Sequence, residues 1–104
     1  MSVIDFLKKM TSALDPQAAA GASCVLQFNT SQPAYITIKD GAATLAEGSA
    51  GSPDVTLIMA DDDLIAMLKG ELNGMQAFMT GKLQLEGDLM LAQRLSSFFD
   101  ASKL

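Results

Sequence analysis

Residues 54–99 read DVTLIMADDDLIAMLKGELNGMQAFMTGKLQLEGDLMLAQRLSSFF, and this stretch decides the architecture. Asp54 to Met59 is a β-rich run that reads as a strand. Three acids follow. Asp61 is placed to cap a helix, and Asp62 and Asp63 fall in its first turn, where the helix dipole favours negative charge. Leu64, Met67 and Leu68 then make the buried stripe, with Ile65 at its edge, and Gly70 supplies the stop. A second, short helix is predicted over Met75 to Thr80, ending at Gly81. Lys82 to Glu86 reads as another strand with Leu83 and Leu85 inward. Gly87-Asp88 caps a last helix running from Leu89 to about Asp100. A helical crossover between two strands argues for their parallel or near-parallel placement in one sheet.

Upstream, Ser2 and Asp5 have capping-box spacing, with Asp in place of the usual Glu. Val3, Leu7, Met10 and Leu14 recur at helical spacing, and Asp5, Lys9 and Ser12 fall opposite. Residues 3–14 are therefore expected to form an amphipathic helix. Asp15-Pro16 ends it, because a residue before proline avoids the helical region. Asp15 is also placed to cap a short helix through the alanines, closed by Gly21. From Ser23 to Asn29 the period changes to two: Cys24, Leu26 and Phe28 alternate with Val25, Gln27 and Asn29. Tyr35 to Lys39 makes a second strand, with Ile36 and Ile38 on one face. Asp40-Gly41 signals a type I′ hairpin leading into a third strand, Ala42 to Glu47. Gly48 to Pro53 is a loop into the strand at Asp54. These first four strands read as an antiparallel meander.

Composition narrows the function classes. The chain has 104 residues, 49% hydrophobic and 18% charged, so it is one globular domain, 1–104, with a single core. Its apolar runs are far short of the roughly 20 residues needed to cross a bilayer. Lysines follow the first apolar positions and no cleavage pattern succeeds them, so no secretory signal is read. Cys24 has no second cysteine to pair with, which fits a reducing compartment. The net charge is −5 and the seven basic residues are scattered, so no nucleic-acid partner is expected.

Catalytic chemistry is poorly served. Histidine is absent, so Cys24 lacks an imidazole to deprotonate it and reads as a buried thiol beside Leu26 and Phe28. Asp61 to Asp63 lack the spaced oxygen ligands and glycine of a calcium loop, and capping suffices for them. Asn29-Thr30-Ser31 matches a glycosylation acceptor only by accident in a chain that is not secreted. No catalytic residue, metal or cofactor is expected, and the chain reads as a non-enzyme. Met59, Met67, Met75, Met79 and Met90 fit two roles, filling an irregular core or lining an adaptable apolar surface. Gly70 and Gly81 bound Met75, Phe78 and Met79 with hinge positions, which favours the second.

The order TLIM, ADDDLIAMLKG, MQAFMTG, KLQLEGD and LMLAQRL resembles the C-terminal two-thirds of the sterol carrier protein 2 domain family, the non-specific lipid-transfer proteins. The first half resembles it more loosely, through one helix, CVLQFN and the hairpin at Lys39-Asp40-Gly41. The resemblance implies an α+β fold: a five-stranded mixed, mostly antiparallel sheet with helices covering one face and an apolar tunnel between. It implies a lipid partner, whether fatty acid, fatty acyl-CoA or sterol, that the protein carries or presents to enzymes. The tunnel walls would be Leu64, Met67, Leu68, Met75, Phe78, Met79, Leu83, Leu85, Leu91, Leu95 and Phe98. Some family members place glutamines at the positions of Met75, Gln93 and Ser96, of which this chain keeps Gln93. A helical wheel centres the last helix on Leu91, Leu95 and Phe98 and sets Gln93 beyond that arc. Gln93 either lines the cavity from a second face or meets solvent.

The sequence closes on Ser102-Lys103-Leu104, the form of a peroxisomal address read by an import receptor. Family members of eukaryotes often end so, and the expected location is the peroxisomal matrix, with the cytoplasm as the alternative for a bacterial chain. Two other functions compete. One is a protein-interaction module using a Met-rich apolar groove. The other is a carboxylate-based isomerase or hydrolase, which needs Glu71 or Asp88 buried in the pocket. Helix 3–14, with Lys8 and Lys9, offers at most transient membrane contact, since the net charge disfavours anionic lipid.

Overall fold

In the computed structural model the chain is ordered α1 (Val3–Ser12), β1 (Ser23–Asn29), β2 (Ala34–Lys39), β3 (Ala42–Glu47), β4 (Val55–Met59), α2 (Asp61–Leu68), α3 (Gly74–Met79), β5 (Leu83–Gly87) and α4 (Leu89–Phe98). The structure describes residues 3–15, 17, 21, 23–69 and 71–98, and within α4 it leaves out the side chains of 93–97. The expectations for Ser2, Pro16, the alanines at 18–20, Gly70, Gln93, Leu95, Asp100 and Ser102-Lys103-Leu104 lie outside that description.

The strands form one sheet in the order β3-β2-β1-β4-β5. β1, β2 and β3 are an antiparallel meander. Asp40 and Gly41 take φ of 54° and 75°, the positive values that a type I′ turn requires at both central positions. β4 does not extend the meander. It returns to lie parallel to β1, with Leu26 opposite Val55 and Phe28 opposite Leu57. The parallel pair is therefore β1–β4, whereas β4 and β5 are antiparallel, with Met59 opposite Leu83 and Val55 opposite Gly87. The expected parallel placement of β4 and β5 is corrected on this point. Residues 60–82 contain two helices, α2 and α3, and their excursion out and back returns the chain to the end of the sheet it left.

One face of the sheet is the core. Facing positions bring Leu45, Ile36, Leu26 and Val55 into one row, and Ala34, Phe28, Leu57 and Leu85 into the next. α1 packs here through Val3, Ile4, Phe6, Leu7 and Met10, all buried, while Asp5, Lys8 and Lys9 are exposed. Leu64 and Leu68 of α2, Ala77 of α3 and Phe98 of α4 complete the same apolar cluster, in which Cys24 is also buried. At its margin, the Lys69 ammonium lies 5.9 Å from the Phe6 ring centroid and ties α2 to α1.

The opposite face is crossed by the β3–β4 connection. Gln27 is buried there, although strand alternation places it away from the core. Its amide nitrogen donates to the carbonyls of Ala34 at 3.2 Å and Gly48 at 3.1 Å and to Oδ1 of Asn29 at 3.1 Å. Its oxygen accepts from the Ala50 N–H at 2.7 Å. A buried amide with all its groups bonded fixes the path of the crossing segment. The segment ends at Asp54, whose carboxylate accepts from the Val25 N–H at 2.6 Å.

α2 starts differently from the expectation. Its N-cap is Ala60, with no side-chain cap. The Asp61 carboxylate instead accepts from the Ser31 N–H at 2.9 Å and from the Ser31 hydroxyl. Asp61 is already inside the helix, so its side chain reaches the loop after β1 and not the orphan amides of its own first turn.

Candidate functional site

The unusual surface lies along β5, the edge strand against which α3 and α4 both pack. α3 is only one and a half turns long, too short to persist on propensity. Asn73 starts it, with Oδ1 accepting from the N–H groups of Met75 at 2.9 Å and Gln76 at 3.3 Å. Two further bonds close its end. The Thr80 hydroxyl donates to the Gln76 carbonyl at 2.9 Å, and the Lys82 N–H donates to the Ala77 carbonyl at 2.9 Å.

A helix this short turns little of itself inward. Ala77 is fully buried, whereas Met75, Phe78 and Met79 are 60%, 46% and 78% exposed. At the other end of β5, Oδ1 of Asp88 accepts from the Leu91 N–H at 3.1 Å and caps α4. Its first two residues, Leu89 and Met90, are 50% and 74% exposed, while Leu91 and Ala92 are half-buried. Among the described residues, these five are all the large apolar side chains that stand exposed. Single exposed apolar residues are ordinary, but among the described residues the exposed ones all fall on the two helices packed against one strand.

The expected wall residues divide into three groups. Leu64, Leu68, Leu83 and Phe98 are buried in the core cluster, and Met67, Leu85 and Leu91 are half-buried against it. Met75, Phe78 and Met79 face outward. The side chains of Gln93 and Leu95 lie outside the described residues. Leu89 and Met90 were not among the expected wall, because the helical wheel drew attention to the arc through Leu91 and Phe98. The signal available for them was two consecutive large apolar residues directly after a capped start, at positions that the arc does not use.

Among the described residues, charge plays a small part beside α3. α3 has no ionisable side chain, and Lys82, Glu86 and Asp88 nearby are exposed. Glu71 is exposed as well, so neither carboxylate that a hydrolase or isomerase reading requires sits in an enclosed environment. Among the described residues no group of three or more Cys, Asp or Glu side chains converges in a metal-binding arrangement. The carboxyl of Asp61 is held below the usual aspartate range by its hydrogen bonds from Ser31, far from α3 in sequence.

Residues 4–100 match the SCP-2 sterol transfer family. The chain belongs to this family. Its SCP-2 relatives include peroxisomal multifunctional enzyme type 2 of Mus musculus, 38% identical over 71 residues, or 66% of this chain and 10% of that protein. Sterol carrier protein 2 of Rattus norvegicus is 37% identical over 62 residues, or 60% of this chain and 11% of that protein. The chain thus spans about a tenth of the length of either. Among solved structures, the palmitated SCP2L2 of Aedes aegypti superposes with a TM-score of 0.73 at 27% identity, covering 93% of both chains. The five-stranded mixed sheet with its helices is the fold of the family, and membership associates the chain with lipid binding and transfer.

Proposed function

We propose that this SCP-2 domain takes the hydrocarbon part of a fatty acid, fatty acyl-CoA or sterol between the apolar face of its sheet and helices α2 to α4. In this reading Met75, Phe78, Met79, Leu89 and Met90 form the rim over which the lipid enters. The lipid is then carried, or presented to an enzyme, and no residue of the domain performs covalent chemistry. The observation that carries the reading is that the exposed large apolar side chains among the described residues all lie on the two helices packed against β5. The palmitated relative adds that a protein of this fold and family accommodates an acyl chain.

The energetics suffice. Burying an aliphatic chain contributes about 0.8 kcal/mol per methylene, so a dozen methylenes contribute roughly 10 kcal/mol before ordering costs. Association costs of at least about 4 kcal/mol leave roughly 6 kcal/mol, an affinity of tens of micromolar, and each further buried methylene tightens it about fourfold. Long unbranched thioethers re-pack readily around guests of different shape, which suits a site with little polar selection.

Peroxisomal residence is the second part of the reading. Its support is the peroxisomal multifunctional enzymes among the relatives. Immunofluorescence of the protein in a eukaryotic cell should give punctate signal that coincides with a peroxisomal marker; diffuse signal refutes the residence.

The binding test starts with delipidated protein. Titration with palmitate and with a fluorescent fatty acid should saturate at one ligand per chain, and solvent extracts of untreated protein should contain lipid by mass spectrometry. Lipid-free extracts together with no saturable binding refute the proposal. A co-purifying polypeptide in place of lipid would establish the protein-interaction alternative.

A further inference from the structure

Methionine occupies two distinct environments in this fold. Met10 and Met59 are buried in the core cluster and Met67 is half-buried against it, whereas Met75, Met79 and Met90 are the three most exposed large apolar residues described. Among the described residues the exposed three sit on α3 and at the start of α4, the two helices packed on β5, and no other described element carries an exposed methionine. Besides their adaptable packing, these thioethers carry a redox chemistry that leucine lacks.

We propose that Met75, Met79 and Met90 are a peroxide-sensitive modification site that turns the apolar rim polar and so releases or excludes lipid. The inference rests on the lipid-binding reading above. The oxidant is a hydroperoxide, whether hydrogen peroxide or a lipid hydroperoxide. The thioether sulfur attacks the terminal peroxide oxygen, the O–O bond breaks and an S–O bond forms. The departing oxygen leaves as water or as the lipid alcohol after taking up a proton, while sulfur is oxidised by two electrons. Each sulfoxide places a strong hydrogen-bond acceptor on the rim, and an aliphatic chain cannot satisfy it. Methionine sulfoxide reductases reverse the change. Core thioethers such as Met10 and Met59 are shielded because peroxide must first reach the sulfur.

The test treats the delipidated protein with hydrogen peroxide and follows each methionine by peptide mass mapping, alongside fluorescent fatty-acid affinity. Met75, Met79 and Met90 should gain oxygen well before Met10 and Met59, far-ultraviolet circular dichroism should hold, and affinity should fall by roughly tenfold. Reduction with a methionine sulfoxide reductase should restore it. In the triple variant Met75→Leu, Met79→Leu, Met90→Leu, each sample is compared with itself before and after peroxide, and its affinity should not change. Equal oxidation of buried and exposed methionines, or full affinity after complete oxidation of the three, overturns the proposal. Loss of affinity in the treated triple variant also overturns it, by locating the sensitivity elsewhere. Absence of fatty-acid binding in untreated protein refutes the lipid reading itself, a result that the peroxide arms do not mimic.

Discussion

Gly87 lies against the backbone of Asp54 so closely that a Cβ on it would sit 2.5 Å from the Asp54 carbonyl oxygen. The contact joins the end of β5 to the start of β4, and the next residue extends it, the Asp88 N–H donating to the same carbonyl at 2.8 Å. Gly87 also has φ of +95°, a conformation that L side chains rarely adopt. Gly87→Ala therefore meets both strain and a backbone clash, and should lower unfolding free energy by at least about 2 kcal/mol in urea titration. Gly81→Ala is the control: φ is +83° but nothing lies within 4 Å, so only the strain of about 1–2 kcal/mol applies. Equal losses for the two variants would remove the clash from the explanation.

Gln27→Met keeps approximate volume but removes the acceptor for the Ala50 N–H and the donor shared among Ala34, Gly48 and Asn29. Leaving such groups unbonded costs about 1–3 kcal/mol. The loss should concentrate in the connection over the sheet, so exchange of the Ala50 amide should accelerate more than that of the β1–β2 ladder. Uniform acceleration across the sheet would show that Gln27 stabilises the fold as a whole and does not hold the crossing segment in particular.

Asp61 offers a test by pH. Its hydrogen bonds from Ser31 favour the ionised form, so its folded pKa lies below the unfolded value of about 3.9. A depressed carboxyl contributes stability that is complete above the unfolded value and is lost as pH falls through the folded one. Asp61→Asn should thus be less stable than the parent at pH 7 and converge with it as pH falls below the unfolded value. Parallel stability curves for parent and variant across that range would contradict the assignment.

The local elements were legible because their signals are local. The Asp40-Gly41 turn set the β2–β3 hairpin, strand alternation picked out Cys24, Leu26 and Phe28, and Asp88 marked the start of α4. What was not legible depends on distant partners. The orientation of β5 turns on whether residues 60–82 make one traverse or an excursion with a return, and two helices of eight and six residues make the return. Gln27 reads as a solvent residue until the segment after β3 is known to cross above it. Asp61 reads as a cap until Ser31 is known to lie beside it. The family pattern led to the expectation of a container, but which side chains stand exposed beside β5 depends on how little of α3 turns inward.

Met75→Gln and Met79→Gln put polar groups on that rim without touching the core, since both side chains are exposed. Fatty-acid affinity should weaken by about threefold to tenfold for the double variant, with unfolding free energy within roughly 0.5 kcal/mol of the parent. Weaker binding at unchanged stability assigns the two residues to the lipid path. Unchanged affinity would remove them from it and leave the half-buried Met67, Leu85 and Leu91 as the remaining apolar approach.

Asn73 sets how firmly α3 is held. Its carboxamide satisfies two of the orphan N–H groups of a helix that has few intrahelical bonds of its own. Asn73→Ala should cost about 1 kcal/mol, and most of it should appear as local opening. The Ala77 amide, which donates to the Asn73 carbonyl at 2.9 Å, and the Thr80 amide, which donates to that of Gln76, should exchange faster while the β1–β4 ladder keeps its protection. Because Ala77 is the buried anchor of α3, loosening it lets the rim lift from β5, and fatty-acid dissociation should accelerate more than association. Stopped-flow release of a fluorescent fatty acid separates the two rates. If the amides of α3 exchange faster but release is unchanged, α3 does not gate the site, and lipid must leave by the half-buried approach at Met67, Leu85 and Leu91.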